Sequence, residues 1–264
     1  MPELAEVEYY RRQWNAGLRQ RVNEVMLHGE KRIFRGTDVR ALESGLRGAM
    51  LLSSEARAKQ MLFRFSRGLW LGLHLGMTGR LHTEPVKFSP DRHDHLVLRQ
   101  KAQALVFTDA RQFGRVLFHV GKEPPEWWTR LAPAVTSSDF TRERLLLFLR
   151  RRQRLAVKAA LLVQAAFPGV GNWMADEILW RARIDPRQLC GALNSRQIAA
   201  LWRAARKVCA DALATVGVDF SDPPKTWLFH ERWKKAGRCP RDASPLKSAQ
   251  IGGRTTRWCG ECQR

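Results

Sequence analysis

The first residues of the chain could form a nucleophile with acids beside it. Pro2 follows Met1, and a small second residue permits removal of the methionine, which would leave a secondary amine at Pro2. An α-amino group has a pKa of about 7.7 to 8.0, so it is partly neutral at physiological pH and can attack a sugar aldehyde carbon. Glu3 and Glu6 could move protons for such a reaction. Two acids at a helix start also suit the helix dipole, so this pattern alone leaves a structural role open.

The C-terminal end carries residue types and a spacing typical of a metal site. The chain has five cysteines, an odd number that argues against a disulfide framework, and Cys259 and Cys262 form a Cys-x2-Cys turn. Three residues after Cys239 stands Asp242, and a carboxylate oxygen can replace a thiolate on zinc. The sequence therefore predicts one structural Zn2+ with the ligands Cys239, Asp242, Cys259 and Cys262. The alternative is that the metal is lost and apolar packing holds this segment.

The N-terminal half has the pattern of a helix followed by many short strands. Apolar residues at helical spacing predict one amphipathic helix over residues 3–20. From there to about residue 120, short apolar runs alternate with Gly, Ser, Asp and Lys clusters, as in an antiparallel sandwich or barrel. The clearest of these runs are 61–65, 69–75, 95–98 and 105–108.

The C-terminal half is helical and ends in a short basic tail. The Pro-rich segment 122–138 is predicted to form neither a helix nor a central strand. Helical patterns follow over 145–149, 155–163, 173–183 and 195–216. These patterns predict an N-terminal β domain over 1–122, a linker over 123–137, a helical domain over 138–225 and a basic, glycine-rich tail over 226–264 that holds the cysteine cluster.

The composition points to a folded protein that binds nucleic acid. Lys and Arg number 46 against 25 Asp and Glu, a formal net charge of +21, while 44% hydrophobic residues and 10 Trp exclude a disordered chain. No apolar run approaches the roughly 20 residues of a membrane span, and the acidic N-terminus is unlike a signal peptide. We therefore expect a soluble, intracellular protein. Charge spread along the chain favours nucleic acid over a membrane surface, although a GC-rich genome also raises the Arg content.

A series of motifs resembles the formamidopyrimidine-DNA glycosylase and endonuclease VIII family, in that family's order. The motifs are PELAEVE at 2–8, Ala58-Lys59, HLGMTG at 74–79, RHDH at 92–95, TDARQFG at 108–114, PGVGNWMADEILW at 168–180 and GGRTTRWCGECQ at 252–263. The resemblance implies a two-lobed α+β enzyme with DNA in the cleft between its lobes. Its parts would be an N-terminal helix plus antiparallel β-sandwich, a helix-two-turn-helix domain, and a C-terminal zinc-finger-like β-hairpin.

The resemblance also implies four catalytic residues. Pro2 matches the amine that attacks C1′ of the damaged nucleotide, and Glu3 matches the acid that assists base loss and ring opening. Lys59 matches the basic residue near the sugar and its phosphate, and Arg254 matches the hairpin arginine that clamps the phosphate. An iminium acidifies C2′, so β- and then δ-elimination can cut both sides of the sugar while the cations neutralise the leaving phosphates.

Further residues match the family's contacts to DNA. Met77, Arg111 and Phe113 match the three residues that fill the gap left by an everted base. His93 and Asn172 match phosphate contacts.

For Asn172 and for the basic residues between 150 and 158, the sequence also allows a structural role beside DNA contact. Asn172 could cap a helix beginning at Trp173, where free backbone amides form an anion site. Lys158 and the arginine run over 150–154 are predicted to contact the DNA backbone, although such a run is also typical of a solvated helix face.

Four departures from the family pattern bear on the zinc and on the substrate. Ala5 replaces a proline, Gln112 replaces a second arginine, and Asp242 replaces a zinc cysteine. The segment 217–229 lacks the long Gly-Thr-rich stretch with which many relatives cover an everted 8-oxoguanine. The HLGM motif and the gap-filling residues favour oxidised purines, whereas the short segment favours oxidised pyrimidines, abasic sites or a less usual lesion.

The sequence as a whole predicts a base-excision-repair glycosylase that also cleaves abasic sites through a proline iminium. Its predicted substrate is an oxidised base, a purine such as 8-oxoguanine or formamidopyrimidine, in double-stranded DNA. We further expect a monomer with one Zn2+, no membrane partner, and a location in the bacterial cytoplasm at the nucleoid. The alternatives are an endonuclease VIII-type enzyme for oxidised pyrimidines or an unusual lesion, a non-catalytic binder of damaged DNA, and a zinc-ribbon RNA-binding protein.

Overall fold

The computed structural model describes all 264 residues, which divide into two compact units. The first unit comprises Met1–Pro2 and Glu6–Leu131, and the second comprises Glu3–Ala5 and Ala132–Arg264. Each unit has its own large apolar core. No helix in the chain has both the length and the apolar character needed to cross a membrane.

The first unit contains two antiparallel sheets of four strands each. One sheet has the order β1-β6-β7-β5 and the other β2-β3-β4-β8. The strands are β1 Glu24–Leu27, β2 Leu51–Arg57, β3 Gln60–Phe65, β4 Leu69–His74, β5 Arg80–Pro85, β6 Asp94–Arg99, β7 Gln103–Thr108 and β8 Arg115–Val120. Side chains from both sheets, such as Phe63 and Phe107, form one core. The predicted antiparallel β-sandwich is confirmed, and the four predicted runs correspond to β3, β4, β6 and β7.

Two helices belong to the start of this unit, and the first is shorter than its sequence pattern predicts. α1 covers Leu4–Gln13 and tightens into a 3-10 helix over Trp14–Gly17. Trp14 is fully buried, lies 4.8 Å from the Phe63 ring and donates through Nε1 to the Val106 carbonyl. This packing draws the chain onto the sheets, so the predicted helix over 3–20 is wrong in its length. α2 covers Val39–Leu46, and its N-terminus is capped by the Asp38 carboxylate.

The Pro-rich segment contains a helix that the sequence did not predict. α3 covers Glu126–Thr129 and starts after Pro125, a position at which the missing N–H of proline costs no helical hydrogen bond. Trp128 is buried against Leu62 and Trp70. The prediction of no helix over 122–138 is therefore wrong for these four residues, because burial of an aromatic ring stabilises a helix too short to form alone.

The second unit is mainly helical and ends in a β-hairpin. Its elements are α4 Arg142–Arg150, α5 Val157–Leu161, α6 Asn172–Ala182, α7 Ser195–Ala214, α8 Val216–Asp219, α9 Phe229–Arg232, β9 Leu246–Ile251 and β10 Arg254–Cys259. Thr141 caps α4, and Asn194 with Gln197 forms a capping box on α7. β9 and β10 pair in antiparallel fashion through the turn Gly252-Gly253, where both glycines have positive φ.

Helix α6 buries an acid that should make stability depend on pH. Burial raises the pKa of Glu177 to about 7, and hydrogen bonds from Arg181 Nε at 2.8 Å and the Phe229 amide at 3.3 Å offset this only in part. The folded chain therefore binds this proton more tightly than the unfolded chain, whose glutamate titrates near 4.5. Its contribution to stability is lost as the pH rises from about 4.5 to about 7.

We expect Glu177→Gln to gain stability relative to the parent protein as the pH rises from 5 to 8, because glutamine has no charge to bury. The relative gain should be about 1 to 3 kcal/mol, since one pKa unit corresponds to about 1.4 kcal/mol. Thermal melts of both proteins at each pH measure this difference. Glu43→Gln, at a half-exposed acid on α2, is the matched control, and parallel curves for Glu177→Gln and the parent would contradict the expectation.

Candidate active site and metal cluster

Glu3 is held at the N-terminal end of helix α6. Its carboxylate is 4% exposed and accepts hydrogen bonds from the backbone amides of Gly171 at 2.9 Å, Trp173 at 3.0 Å and Met174 at 3.1 Å. A side chain on Gly171 would overlap the Glu3 carboxyl group, so glycine is required there. Three donors at the positive end of a helix hold the Glu3 carboxyl group in one position. The residue next to the half-buried Pro2 is therefore fixed.

Asn172 does not cap α6, so that part of its prediction is wrong. The helix begins at Asn172 itself with Gly171 in the cap position, and the amides at this end are satisfied by Glu3 instead. The Asn172 side chain donates through Nδ2 to the Thr255 carbonyl of β10 at 2.9 Å. Its Oδ1 is buried and has no hydrogen-bond partner. Asn172 therefore links α6 to the hairpin, and its predicted phosphate contact stays a prediction.

Lys158 is buried, which contradicts the prediction that it contacts DNA. Its side chain is 0% exposed, and its Nζ donates to Asp176 Oδ1 at 2.5 Å and to the Asn172 carbonyl at 2.7 Å. Burial lowers the pKa of Lys158, while the neighbouring Asp176 carboxylate opposes that change. An ammonium group enclosed in this way cannot reach a phosphate, so its role in the structure is to hold the end of α6.

Asp176 joins three elements of the second unit, and the sequence motifs gave no role to it. Besides the Lys158 ammonium of α5, its carboxylate accepts from Arg232 Nη2 at 2.8 Å and Nε at 3.1 Å. It also accepts from the Arg257 backbone amide of β10 at 3.2 Å. Asp176 and Arg232 are both at least 95% buried. The only signal in the sequence was a pair of adjacent acids, Asp176 and Glu177, among the apolar residues of α6.

Arg254 is exposed at the first position of β10, directly after the Gly252-Gly253 turn. It lines a cavity of about 530 Å3 in the second unit. The cavity is lined by Asn172, Arg232, Trp233, Gln250, Gly253, Arg254, Thr255 and Arg257. The predicted phosphate ligands Arg254 and Asn172 therefore share one basic cavity.

In the first unit, Lys59 lies in the turn between β2 and β3. The preceding Ala58 has a positive φ of 58°, which turns the chain tightly before Lys59. His74 pairs with Gln60 across β3 and β4, and its Nδ1 accepts from the Gly76 amide at 3.0 Å. Burial lowers the pKa of His74, and the positive charge of Lys59 lowers it further. The first unit therefore keeps Lys59 close to a histidine whose pKa is lowered.

The three predicted gap-filling residues are exposed on two adjoining loops of the first unit. Met77 is 38% and Phe113 is 41% exposed, and the Arg111 guanidinium lies 4.9 Å from the centre of the Phe113 ring. Gly76, next to Met77, packs directly on the backbone of Phe113, where a side chain would clash. Exposed apolar side chains held close together in this way suit insertion between bases.

Asp109 fixes these two loops, and its role was not predicted. Its carboxylate is fully buried and accepts from Thr78 Oγ1 at 2.8 Å and from the Gly114 amide at 2.7 Å. Its backbone amide donates to the carbonyl of His93 at 3.0 Å, and its carbonyl accepts from His95. The half-buried His93 is thereby attached to the same region. The predicted contact of His93 with a phosphate stays a prediction.

The four predicted metal ligands come together in the hairpin. One ligand atom from each of them lies within 4.8 Å of all the others. The sulfurs of Cys239 and Cys262 are 3.8 Å apart, and the two Asp242 oxygens are 3.4 and 3.7 Å from the Cys259 sulfur. Zn–S bonds of about 2.3 Å at a tetrahedral angle separate two sulfurs by about 3.8 Å. Three thiols and a carboxylate at these distances fit a tetrahedral metal ion.

Two comparisons with known sequences give the same family. Residues 1–116 match the formamidopyrimidine-DNA glycosylase N-terminal domain, and residues 131–222 match the formamidopyrimidine-DNA glycosylase H2TH domain. A formamidopyrimidine-DNA glycosylase of Laribacter hongkongensis is 34% identical over 276 residues. One of Xanthomonas euvesicatoria pv. vesicatoria is 35% identical over 278 residues. Each of these two matches covers 100% of both chains.

Solved structures have the same fold over the whole chain. MutM in complex with DNA containing carbocyclic 8-oxo-G gives a TM-score of 0.89 at 25% identity, with 100% of both chains covered. Wild-type Lactococcus lactis Fpg with DNA containing N7-benzyl-Fapy-dG also gives 0.89, at 24% identity and full coverage. The predicted family and fold are confirmed. The chain therefore belongs to the formamidopyrimidine-DNA glycosylase family, and it is a DNA-binding glycosylase of base-excision repair.

Proposed function

We propose that the enzyme removes oxidised bases from double-stranded DNA and then cleaves the abasic site by β,δ-elimination through an iminium at Pro2. The observation that carries this proposal is the Glu3 carboxylate, which three backbone amides hold in place next to Pro2 in the chain. An enzyme with an N-terminal amine nucleophile needs a fixed proton acceptor close to that amine. Glu3 has the position and the charge for this task.

The first step is the attack of the Pro2 amine on C1′ of the damaged nucleotide. The bond from C1′ to the base breaks, the base leaves with the electron pair, and the nitrogen becomes a tertiary ammonium. Glu3 accepts its proton and returns that proton to the ring oxygen as the sugar opens. The product is a C1′=N iminium in which Pro2 supplies the nitrogen.

The next steps cut the strand on both sides of the sugar. The iminium acidifies C2′, so loss of a proton there expels the 3′ phosphate, and a second elimination expels the 5′ phosphate. We assign Lys59 and Arg254 to neutralise these leaving groups, because both are cationic and Arg254 is exposed at a hairpin tip.

Double-stranded DNA is proposed as the substrate because the exposed group formed by Met77, Arg111 and Phe113 can replace an everted base in the stack. His93 and Asn172 are proposed to contact phosphates. The enzyme would act as a monomer in the bacterial cytoplasm, where the DNA is.

Oxidised purines such as 8-oxoguanine and formamidopyrimidines are the proposed lesions. Support comes from the MutM relative, which was solved with carbocyclic 8-oxo-G DNA. The second candidate is an oxidised pyrimidine, favoured by the short segment 217–229. This segment runs from α8, a helix of four residues, to the start of α9.

A panel of duplexes, each with one lesion, decides between these substrates. The panel should include 8-oxoguanine, a formamidopyrimidine, thymine glycol, dihydrouracil and an abasic site, each opposite all four bases. We expect the fastest base release from an oxidised purine and strand cleavage of the abasic duplex. Faster release of thymine glycol would favour the second candidate, and no release from any duplex would contradict both.

The metal cluster is proposed to hold one structural zinc ion, with Cys239, Asp242, Cys259 and Cys262 as its ligands. Three soft thiolates favour zinc over the hard cations, and the set has no open position, as in other structural sites. When bound, the ion would fix the hairpin that carries Arg254. Trp180 Nε1 donates to the Cys239 sulfur at 3.3 Å, so α6 also supports the site.

Asp242→Cys should keep or tighten the zinc, because thiolate is the more usual ligand, whereas Asp242→Ala should weaken it. In Asp242→Ala we expect a large fall in the rate of strand cleavage but only a small fall in the melting temperature. The hairpin is small, and both units have their own cores. Metal analysis should find one zinc per chain in the parent protein. Asp139→Ala, at an exposed acid outside the cluster, is the control. No zinc in protein purified without chelator, with full cleavage by Asp242→Ala, would contradict the proposal.

A further inference from the structure

Trp233 is an exposed aromatic side chain on the surface of the second unit. It is 63% exposed, whereas the other tryptophans are buried or half-buried. It follows α9 directly and lines the cavity that contains Arg254. Exposed aromatic rings beside polar groups commonly mark a binding surface.

The ring is held in place from one side. The Arg232 guanidinium lies 4.1 Å from the centre of the Trp233 ring, and the Phe229 ring meets it edge to face at 6.2 Å. Arg232 is itself anchored by two hydrogen bonds to the buried Asp176. A ring fixed in this way loses little conformational entropy when a second planar group stacks on it.

The other groups of the cavity are cations and amides. Arg232 is neutralised by Asp176, which leaves Arg254 and Arg257 to meet an anion, and no carboxylate lines the cavity. An aromatic face together with free guanidinium groups is the chemistry that binds a nucleotide of an unpaired strand.

We infer that this cavity binds one nucleotide of the damaged strand, with its phosphate at Arg254 and its base stacked on Trp233. The inference rests on the proposed function in one respect, the role of Arg254 as a phosphate ligand. Nothing in the proposed reaction requires Trp233 itself. Its predicted role is to bind and hold this nucleotide, so it affects affinity and selectivity rather than the bond-breaking steps.

The test uses 2-aminopurine, a fluorescent base that is quenched when it stacks on an aromatic ring. Two duplexes carry a tetrahydrofuran abasic analogue, which cannot form the iminium, with 2-aminopurine on its 5′ or 3′ side in the same strand. A third duplex carries 2-aminopurine on a carbocyclic sugar at the lesion position. We expect quenching by the parent protein at one of these positions, loss of that quenching in Trp233→Leu, and its return in Trp233→Phe.

Binding of the same duplexes gives a second readout. Trp233→Leu should weaken the affinity for the quenched duplex by roughly 5- to 100-fold, the range found when one base–aromatic stack is removed. Leu147→Ala changes another exposed apolar side chain of the second unit that lies outside the cavity, and it should bind as the parent does. Because Trp233 is on the surface, melting temperatures should stay equal.

The inference is overturned if no position shows quenching that depends on Trp233 and Trp233→Leu binds every duplex as tightly as the parent. Failure of the proposed reaction is separately visible, since the parent protein would then form no covalent complex with abasic DNA under borohydride. The quenching measurement uses uncleaved DNA, so it does not depend on that outcome.

Discussion

An amide bond at Pro2 should abolish covalent trapping of the enzyme on abasic DNA. If the chain keeps residues before Pro2, its nitrogen is an amide whose lone pair is delocalised, and it cannot attack C1′. We expect trapping by borohydride and strand cleavage to fall by several orders of magnitude, on the scale of losing any covalent nucleophile. The measurement compares one protein before and after proteolytic removal of an N-terminal tag that ends at Pro2.

The same comparison separates catalysis from binding. Tagged protein should still bind a duplex with a tetrahydrofuran site, because Met77, Arg111 and Phe113 are unchanged. Pro2→Gly with a free N-terminus is the matched variant and should retain weak trapping, since a primary amine also forms an imine. Full activity with a blocked N-terminus would end the proposal of a proline nucleophile, and equal binding without turnover in every form would favour a non-catalytic damage binder.

Glu3→Gln should lose base excision by about 10²- to 10⁴-fold, the usual contribution of a positioned proton-transfer group. Glutamine is nearly the same size, but it carries no charge and cannot accept and return the proton. It also has one carbonyl oxygen for the three amides of Gly171, Trp173 and Met174. We therefore expect a second effect, a loss of stability of about 1 to 3 kcal/mol from an amide left without an acceptor.

Single-turnover release of the base and thermal melting measure these two effects. Glu6→Gln is the control, because it makes the same change in the first turn of α1, and its loss of excision should be much smaller. Cleavage of a preformed abasic site needs no base expulsion, so Glu3→Gln should impair it less than excision. Equal rates for Glu3→Gln and the parent would show that the fixed carboxylate serves only to cap α6.

The sequence predicted those features that local pattern or spacing determines. Strand alternation identified the β-sandwich, and the Cys-x2-Cys turn with Asp242 identified four residues whose ligand atoms do converge. The helix over 3–20 failed because burial of Trp14 depends on sheets far along the chain. Tertiary packing outweighed the apolar spacing there.

The partners of buried charged and polar side chains were the features that the sequence predicted least well. Lys158 is a cation close to a run of arginines, a pattern that predicts contact with DNA. In the structure its ammonium group instead pairs with Asp176, 18 residues away. Asn172 has the residue type of a helix cap, but the cap is supplied by Glu3, some 170 residues earlier. Residue type does not reveal which partner a charged group finds when that partner is distant in sequence.

Because the N-terminus is attached to α6, Glu3 can reach its final position only after the ribosome has synthesised α6. Leu4 donates its amide to the Gly169 carbonyl, and Glu3 accepts from the amides of Gly171, Trp173 and Met174. These contacts cannot hold Glu3 in place until those residues have been made. At about 5 to 20 residues per second, the ribosome needs roughly 10 to 30 s to make them. A nascent or truncated chain that ends before α6 therefore has an amine but no fixed carboxylate beside it. The proposed reaction at Pro2 and Glu3 therefore requires that the helical unit has been translated and folded.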